Sequence, residues 1–191
     1  MVKHGKFRPV RLMLAVLFIY ILVLCTPYLV RLLYPLEYKD LIIEYGKKHN
    51  IDPPLLAALI KTESNFDANA ESSKGAKGLM QITPSTGEWI ADTIGMEVFS
   101  ESLLYDPETN IRLGSWYIEH LTDYYNGSFE LVFAAYNGGR GNVDKWLSDK
   151  SLSSNGKSLD TIPFTETENF VKRVEKNYNI YKRIYSWGND E

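Results

Sequence analysis

The stretch Asp52-Pro53-Pro54-Leu55-Leu56-Ala57-Ala58-Leu59-Ile60-Lys61-Thr62-Glu63-Ser64-Asn65-Phe66 reads as a short apolar helix that ends in a carboxylic acid. Asp52 suits the N-cap and Pro53 the first helical position, where the missing N–H is no loss. Leu55, Leu56, Leu59 and Ile60 recur at helical spacings, and Glu63 continues their face. A carboxylate on such a face has lost the water that favours its charge, so its pKa should rise. It then remains a proton donor near neutral pH, the state that a general acid requires. Taken alone, a Glu at a helix end reads more readily as a side chain half exposed or satisfied by a backbone N–H. What surrounds it decides.

Helical signals run outward in both directions from this segment. Asp40 to Lys48 reads as a preceding helix, and Asp52 to Asn65 is the helix just described. Thr83-Pro84 opens another, through Ile94 to Gly95. Asp106-Pro107 starts a longer one in which Ile111, Gly114, Tyr117, Ile118, Leu121 and Tyr125 share a face. Asn126-Gly127 ends it, Ser128 caps Phe129 to Tyr136, and Gly138-Gly139 stops that helix before a short turn or helix over Gly141 to Leu147. Ser148 to Thr161 lacks periodicity and is the candidate mobile loop. Thr165-Glu166-Thr167-Glu168 forms a capping-box pattern opening a last helix, with Tyr178, Tyr181 and Tyr185 largely on one packing face. No β-rich run competes, so the fold class is all-α.

At the N-terminal end, Lys3, Lys6, Arg8 and Arg11 precede an uncharged run from Leu12 to Val30, closed by Arg31. Its length matches one membrane span, and the small-x-small pattern of a cleavage site is missing around Cys25. The expected organisation is a basic cytoplasmic tail (1–11), a transmembrane signal anchor (12–30), a short linker (31–39) and an extracytoplasmic domain (40–191), oriented by the positive-inside rule at the plasma membrane. Fully extended, that linker would span at most about 35 Å. Cys25 is preceded by Leu24, where a lipobox needs a small residue, so it reads as a membrane-buried thiol.

Of 21 basic and 24 acidic residues, the segment beyond Arg31 keeps 16 and 24, a formal charge of −8. No polyanion-binding surface follows, and nucleic acid is not an expected partner. One cysteine permits no disulfide within the chain. His4, His49 and His120 are scattered without metal-ligand spacing, and no Gly-rich phosphate loop is present, so neither metal nor cofactor is expected.

Three short signatures occur in order: Glu63-Ser64, then Gly78-Leu79-Met80-Gln81-Ile82 with Pro84, then Ala135-Tyr136-Asn137-Gly138-Gly139. A fourth, Ile162-Pro163-Phe164-Thr165-Glu166-Thr167, precedes the last helix. Together these resemble the soluble-lytic-transglycosylase (SLT) catalytic domain, a lysozyme-like helical fold related to goose-type lysozyme, over roughly residues 40 to 187. The resemblance implies a peptidoglycan lytic transglycosylase. In such an enzyme one Glu protonates the β-1,4 linkage after N-acetylmuramic acid, then as a base helps that sugar's 6-hydroxyl attack its own C1, leaving a 1,6-anhydro end.

Motif by motif, the resemblance makes Glu63 the catalytic acid and Ser72 a hydroxyl near the reacting sugar or the acid. Met80 and Gln81 would line the cleft, Gln81 binding an acetamido group. Tyr136 would place its hydroxyl near Glu63, and Asn137 would bind sugar or shape its loop. Ser64 reads equally as a structural hydroxyl or a direct contact, and Glu166 equally as a ligand contact or a charge suited to a helix start. Arg140 and Glu168 depart from the family's pattern, which often has Pro and Arg there. Two other readings share these residues: a muramidase-type hydrolase on the same scaffold, and a non-catalytic glycan-binding subunit of an envelope machine.

Overall fold

The computed structural model describes residues 8–187; Lys3, Lys6 and His4, and the last four positions of the expected domain, lie outside them. The chain divides into two units at Pro35 and Leu36.

The first unit is one helix, α1 (Arg8–Leu33), whose apolar side chains face outward all round, with no polar stripe. Its stretch Val10–Leu33 is long and apolar enough to cross a membrane. Its 26 residues rise about 39 Å, more than the hydrocarbon thickness of a bilayer. Pro27 lies inside it, and the Thr26 hydroxyl donates to the Leu22 carbonyl at 2.7 Å. A proline at this position is compatible with a spanning helix, where side-chain hydroxyls re-satisfy backbone groups. The helix continues through Leu32 and Leu33, so fewer residues than expected separate it from the next one.

The second unit is built from α2 (Lys39–Lys48), α3 (Pro53–Glu63), α4 (Pro84–Thr93), α5 (Pro107–Tyr124), α6 (Phe129–Gly138), α7 (Arg140–Ser148) and α8 (Thr165–Ile184), with a 3-10 turn at Glu101–Tyr105. Among the described residues there is no strand, only bridges pairing Lys77 with Glu71 and with Ile82.

The core centres on α3, which packs most extensively against α8. Leu56, Ala57, Ala58, Leu59 and Ile60 are all buried, so α3 is enclosed all round rather than along the expected stripe, and Leu55 is only half-buried. Both ends of α3 are tied to α8. Tyr178 donates to the Asp52 carboxylate at 2.6 Å, and Asn177 donates to the Thr62 hydroxyl at 2.9 Å. Tyr181 is fully buried, consistent with a packing role for that face.

Several expected caps are differently made. Asp52 holds the N-cap position of α3 without a side-chain capping bond. Pro53 and Pro54 carry no N–H to offer, and the Asp52 carboxylate is engaged by Tyr178 instead. Ser128 likewise caps α6 in position only. The capping box at Thr165 does not form: Phe164 is the N-cap, Thr165 is already helical, and Glu168 pairs with Lys172 one turn on. By contrast, Asp106 accepts from Thr109 N at 2.8 Å and Thr83 from Thr86 N at 3.3 Å, as N-caps do. The segment 148–161 carries its own hydrogen-bond net, with Ser153 and Leu159 buried. There the Ser153 hydroxyl donates to the Ser158 carbonyl and accepts from Gly156 N.

Candidate active site

Glu63 is the last residue of α3, and the chain leaves it abruptly. Asn65 and Phe66 both take positive φ, 55° and 68°, an uncommon conformation for residues with a side chain. Phe66 is buried near Tyr181, which anchors this reversal. Ser64 donates its hydroxyl to the Leu79 carbonyl at 2.8 Å and also lies 3.2 Å from the Ile60 carbonyl. It therefore fastens the acid-bearing helix end to the 78–82 loop, the structural one of its two expected roles.

Burial raises the Glu63 pKa to about 8. The positive charge of Arg173 opposes the rise and the negative charge of Glu166 adds to it. Desolvation is the main cause, so the neutral acid is the resting form at neutral pH.

The 78–82 loop is seated by Asn110 and Lys77, which the sequence reading did not single out, and by Gly78 and Gly114, which it did. Asn110, fully buried in α5, accepts from Met80 N at 2.7 Å and donates to the carbonyls of Leu104 at 2.7 Å and Lys77 at 3.0 Å. Gly78 has φ 72°, and a Cβ there would lie 2.0 Å from the Leu104 carbonyl oxygen, so no other residue fits. Gly114 leaves room for Met80, whose Sδ would lie 2.3 Å from a Cβ at that position. Lys77, buried beneath the loop, pairs with Glu71 at 2.8 Å and Glu101 at 3.2 Å and donates to Tyr105, which holds its ammonium strongly protonated. One signal was available: Asn110 sits one turn before Gly114 on the apolar face of its helix, where an amide must find partners.

Met80 corrects an expectation. Its side chain is sealed in the core against Gly114 and does not line the cleft; its backbone serves the site instead. The Tyr136 hydroxyl donates to the Met80 carbonyl at 2.6 Å. Tyr136 packs parallel to Phe170 and tilted against Tyr117, and burial together with the charge of Glu63 lifts its pKa well above the ordinary value. A charge on Glu63 therefore makes the phenol harder to ionise.

An open cleft of about 270 Å³ is lined by Gln81, Ile82, Thr83, Thr86, Tyr117, Tyr136, Asn137, Gly138 and Gly139. Gln81, at φ 48°, donates its amide to the carbonyls of Ala70 at 3.1 Å and Gly78 at 3.0 Å. Its side-chain oxygen is left for other partners. The Asn137 side-chain oxygen accepts from Thr167 at 2.8 Å. Ser72 accepts from Ala76 N at 3.0 Å, closing the turn before the loop. Glu166 lies on the exposed first turn of α8 and pairs with Lys74 at 3.6 Å, a contact of little energetic weight in water. Among the described residues, no group of three His, Cys, Asp or Glu side chains converges as metal ligands would.

Comparison with known proteins places this geometry. The Transglycosylase SLT domain family matches residues 40–158. The soluble lytic murein transglycosylase of Escherichia coli K12 is 32% identical over 154 residues, covering 80% of this chain and 24% of that protein. The membrane-bound lytic murein transglycosylase C of Edwardsiella ictaluri is 30% identical over 176 residues, covering 78% of this chain and 47% of that protein. The crystal structure of the 70 kDa soluble lytic transglycosylase of E. coli superposes with a TM-score of 0.71 at 32% identity, over 78% of this chain and 24% of that one. An inactive Glu-to-Gln mutant of the Pseudomonas aeruginosa enzyme superposes at 0.69 with 28% identity, over 81% and 26%. The chain spans about a quarter of the length of the soluble relatives it matches. With its motifs, its helical fold and these matches in agreement, the chain belongs to the transglycosylase SLT domain family.

Proposed function

We propose that this protein is a membrane-anchored peptidoglycan lytic transglycosylase, with α1 in the plasma membrane and the SLT domain on its extracytoplasmic side. The observation that carries the chemistry is Glu63, a carboxylic acid held protonated by burial at the end of α3. The names of the relatives, lytic murein transglycosylases soluble and membrane-bound, support the substrate.

In the reaction, the Glu63 proton passes to the bridging oxygen as the bond between C1 of N-acetylmuramic acid and the departing N-acetylglucosamine breaks. Positive charge develops on the muramyl ring. The Glu63 carboxylate then takes the proton of the muramyl 6-hydroxyl, whose oxygen bonds to C1. The acid is restored, no water is consumed, and a 1,6-anhydro end remains. Tyr136 faces the charge on Glu63, Gln81 offers its free side-chain oxygen to an acetamido N–H, and Asn137 contributes its amide to the sugar. Ser72 and Ser64 hold the loop and the helix end. Glu166 raises the affinity of Glu63 for its proton from a distance.

The test is mass spectrometry of the muropeptides that the full chain, in detergent, releases from purified peptidoglycan, with Glu63→Gln as control. Anhydro-muramyl ends absent from the control support the proposal. Hydrated reducing ends would make the protein a muramidase, and intact binding without products would make it a glycan-binding subunit.

A further inference from the structure

We propose that the aromatic cluster of Trp89, Trp116 and His120 is an additional saccharide subsite, a stacking platform that carries the glycan strand beyond the cleft. The inference rests on the reading of the cleft as a peptidoglycan site.

Trp89 lies one turn past the cleft residue Thr86 on α4 and is 42% exposed. It is nonetheless braced by three rings of α5. Its ring stands edge-on to Trp116 at 5.5 Å, to Tyr117 at 6.0 Å and to His120 at 5.4 Å, and Trp116 stacks on His120 at 5.2 Å and 12°. An indole that served only to fill the interior would be covered, whereas one left in solvent and braced by three rings presents a rigid apolar face.

Continuity selects the occupant. Tyr117 lines the cleft and touches Trp89, so the aromatic surface is an extension of the cleft wall, not a separate patch. A strand that runs on past the cleft along this wall meets the aromatic surface next. Pyranose rings offer an apolar C–H face that matches an aromatic plane. A rigid aromatic contributes contact area at little cost in side-chain entropy. Arg140, beside the cleft residue Gly139, reaches His120 at 3.5 Å and closes the edge of the cluster.

The experiment uses the full chain in detergent on a Glu63→Gln background, with β-1,4-linked N-acetylglucosamine oligomers from trisaccharide to octasaccharide as probes, titrated by calorimetry. Affinity should rise with length. Trp89→Ala should reduce the ratio of octasaccharide to trisaccharide affinity about ten-fold, the scale of a truncated aromatic anchor, and Trp89→Phe should restore most of it. Trp89→Leu, which keeps bulk without the aromatic face, gives the same reading should the alanine variant fail to fold. An unchanged ratio overturns the platform while leaving the cleft assignment intact. So does quenching of Trp89 emission by brominated lipids in nanodiscs, absent in Trp89→Phe, with the ratio unchanged; the face would then meet a bilayer. Failure of the parent to bind any oligomer, together with no product from the wild type, overturns the cleft reading itself and the platform with it.

Discussion

Asn110 receives the backbone N–H of Met80 at 2.7 Å, and with that bond α5 holds the loop to which Ser64, next to the acid, is also fastened. Because the same amide donates to two further carbonyls, its removal takes away the partner of Met80 N and of the Leu104 carbonyl in a fully buried place, while the Lys77 carbonyl keeps its bond from Ile82 N. Asn110→Ala is expected to destabilise the domain by about 3 kcal/mol or more. Urea denaturation measures this, and a loss within the error of a surface substitution would show that the loop is seated otherwise. Turnover of peptidoglycan should fall with it, since Met80 also receives Tyr136.

Glu63 makes stability depend on pH in a defined direction. Its pKa is about 8 in the folded chain against 4.5 as the ordinary value, so folding favours the protonated form. The contribution is fully present below about pH 4.5 and is lost as pH rises toward 8, by at most about 1.4 kcal/mol per pH unit and less where water reaches the group. Glu63→Gln should therefore gain stability relative to the wild type between those limits, the difference levelling off above pH 8. Chemical denaturation at a series of pH values tests it, and a difference that stays constant with pH would sink it. Wild-type activity should decline on the alkaline side through the same pKa, because the acid must carry its proton.

Gly114 and Met80 should behave as a coupled pair. In the wild type, Gly114→Ala places a methyl against the thioether and should cost about 1 to 3 kcal/mol. In a Met80→Ala background the contacts with Sδ and Cε are gone and only the Cβ of residue 80, at 3.1 Å, remains close, so the same change should lie between neutral and a gain of about 1 kcal/mol from helix propensity. A double-mutant cycle by denaturation reads the disappearance of the loss; equal losses in both backgrounds would dissociate the two residues.

Periodicity and punctuation made the helices legible. Pro84, Pro107, Gly95 and the Asp106 and Thr83 caps mark ends that the structure has at those places. What sequence order does not carry is partner choice. Asp52 and Thr165 look like capping residues by type. Two prolines and a distant Tyr178 redirect the first, and α8 begins one residue early for the second. Met80 sits inside a motif with Gln81, yet one side chain turns inward to Gly114 and the other toward the cleft. The residue opposite made that choice. Asn110, which organises the loop, belongs to none of the short motifs, because its importance arises from the Met80 amide and the Lys77 carbonyl some thirty residues away, together with the nearby Leu104 carbonyl.

The single proton of the Tyr136 hydroxyl is committed to the Met80 carbonyl, so the oxygen has only lone pairs left for anything else nearby. Such a neighbour welcomes an acid that still holds its hydrogen and offers nothing to the anion left after that hydrogen has gone. The Glu63 anion is thereby left to the charge of Arg173 for its support, against the cost of burial. A group whose affinity for its proton has been raised by burial is also one that readily takes the next proton within reach. In the proposed reaction that proton is on the sugar's own hydroxyl, and one side chain would serve as both donor and retriever within a single turnover.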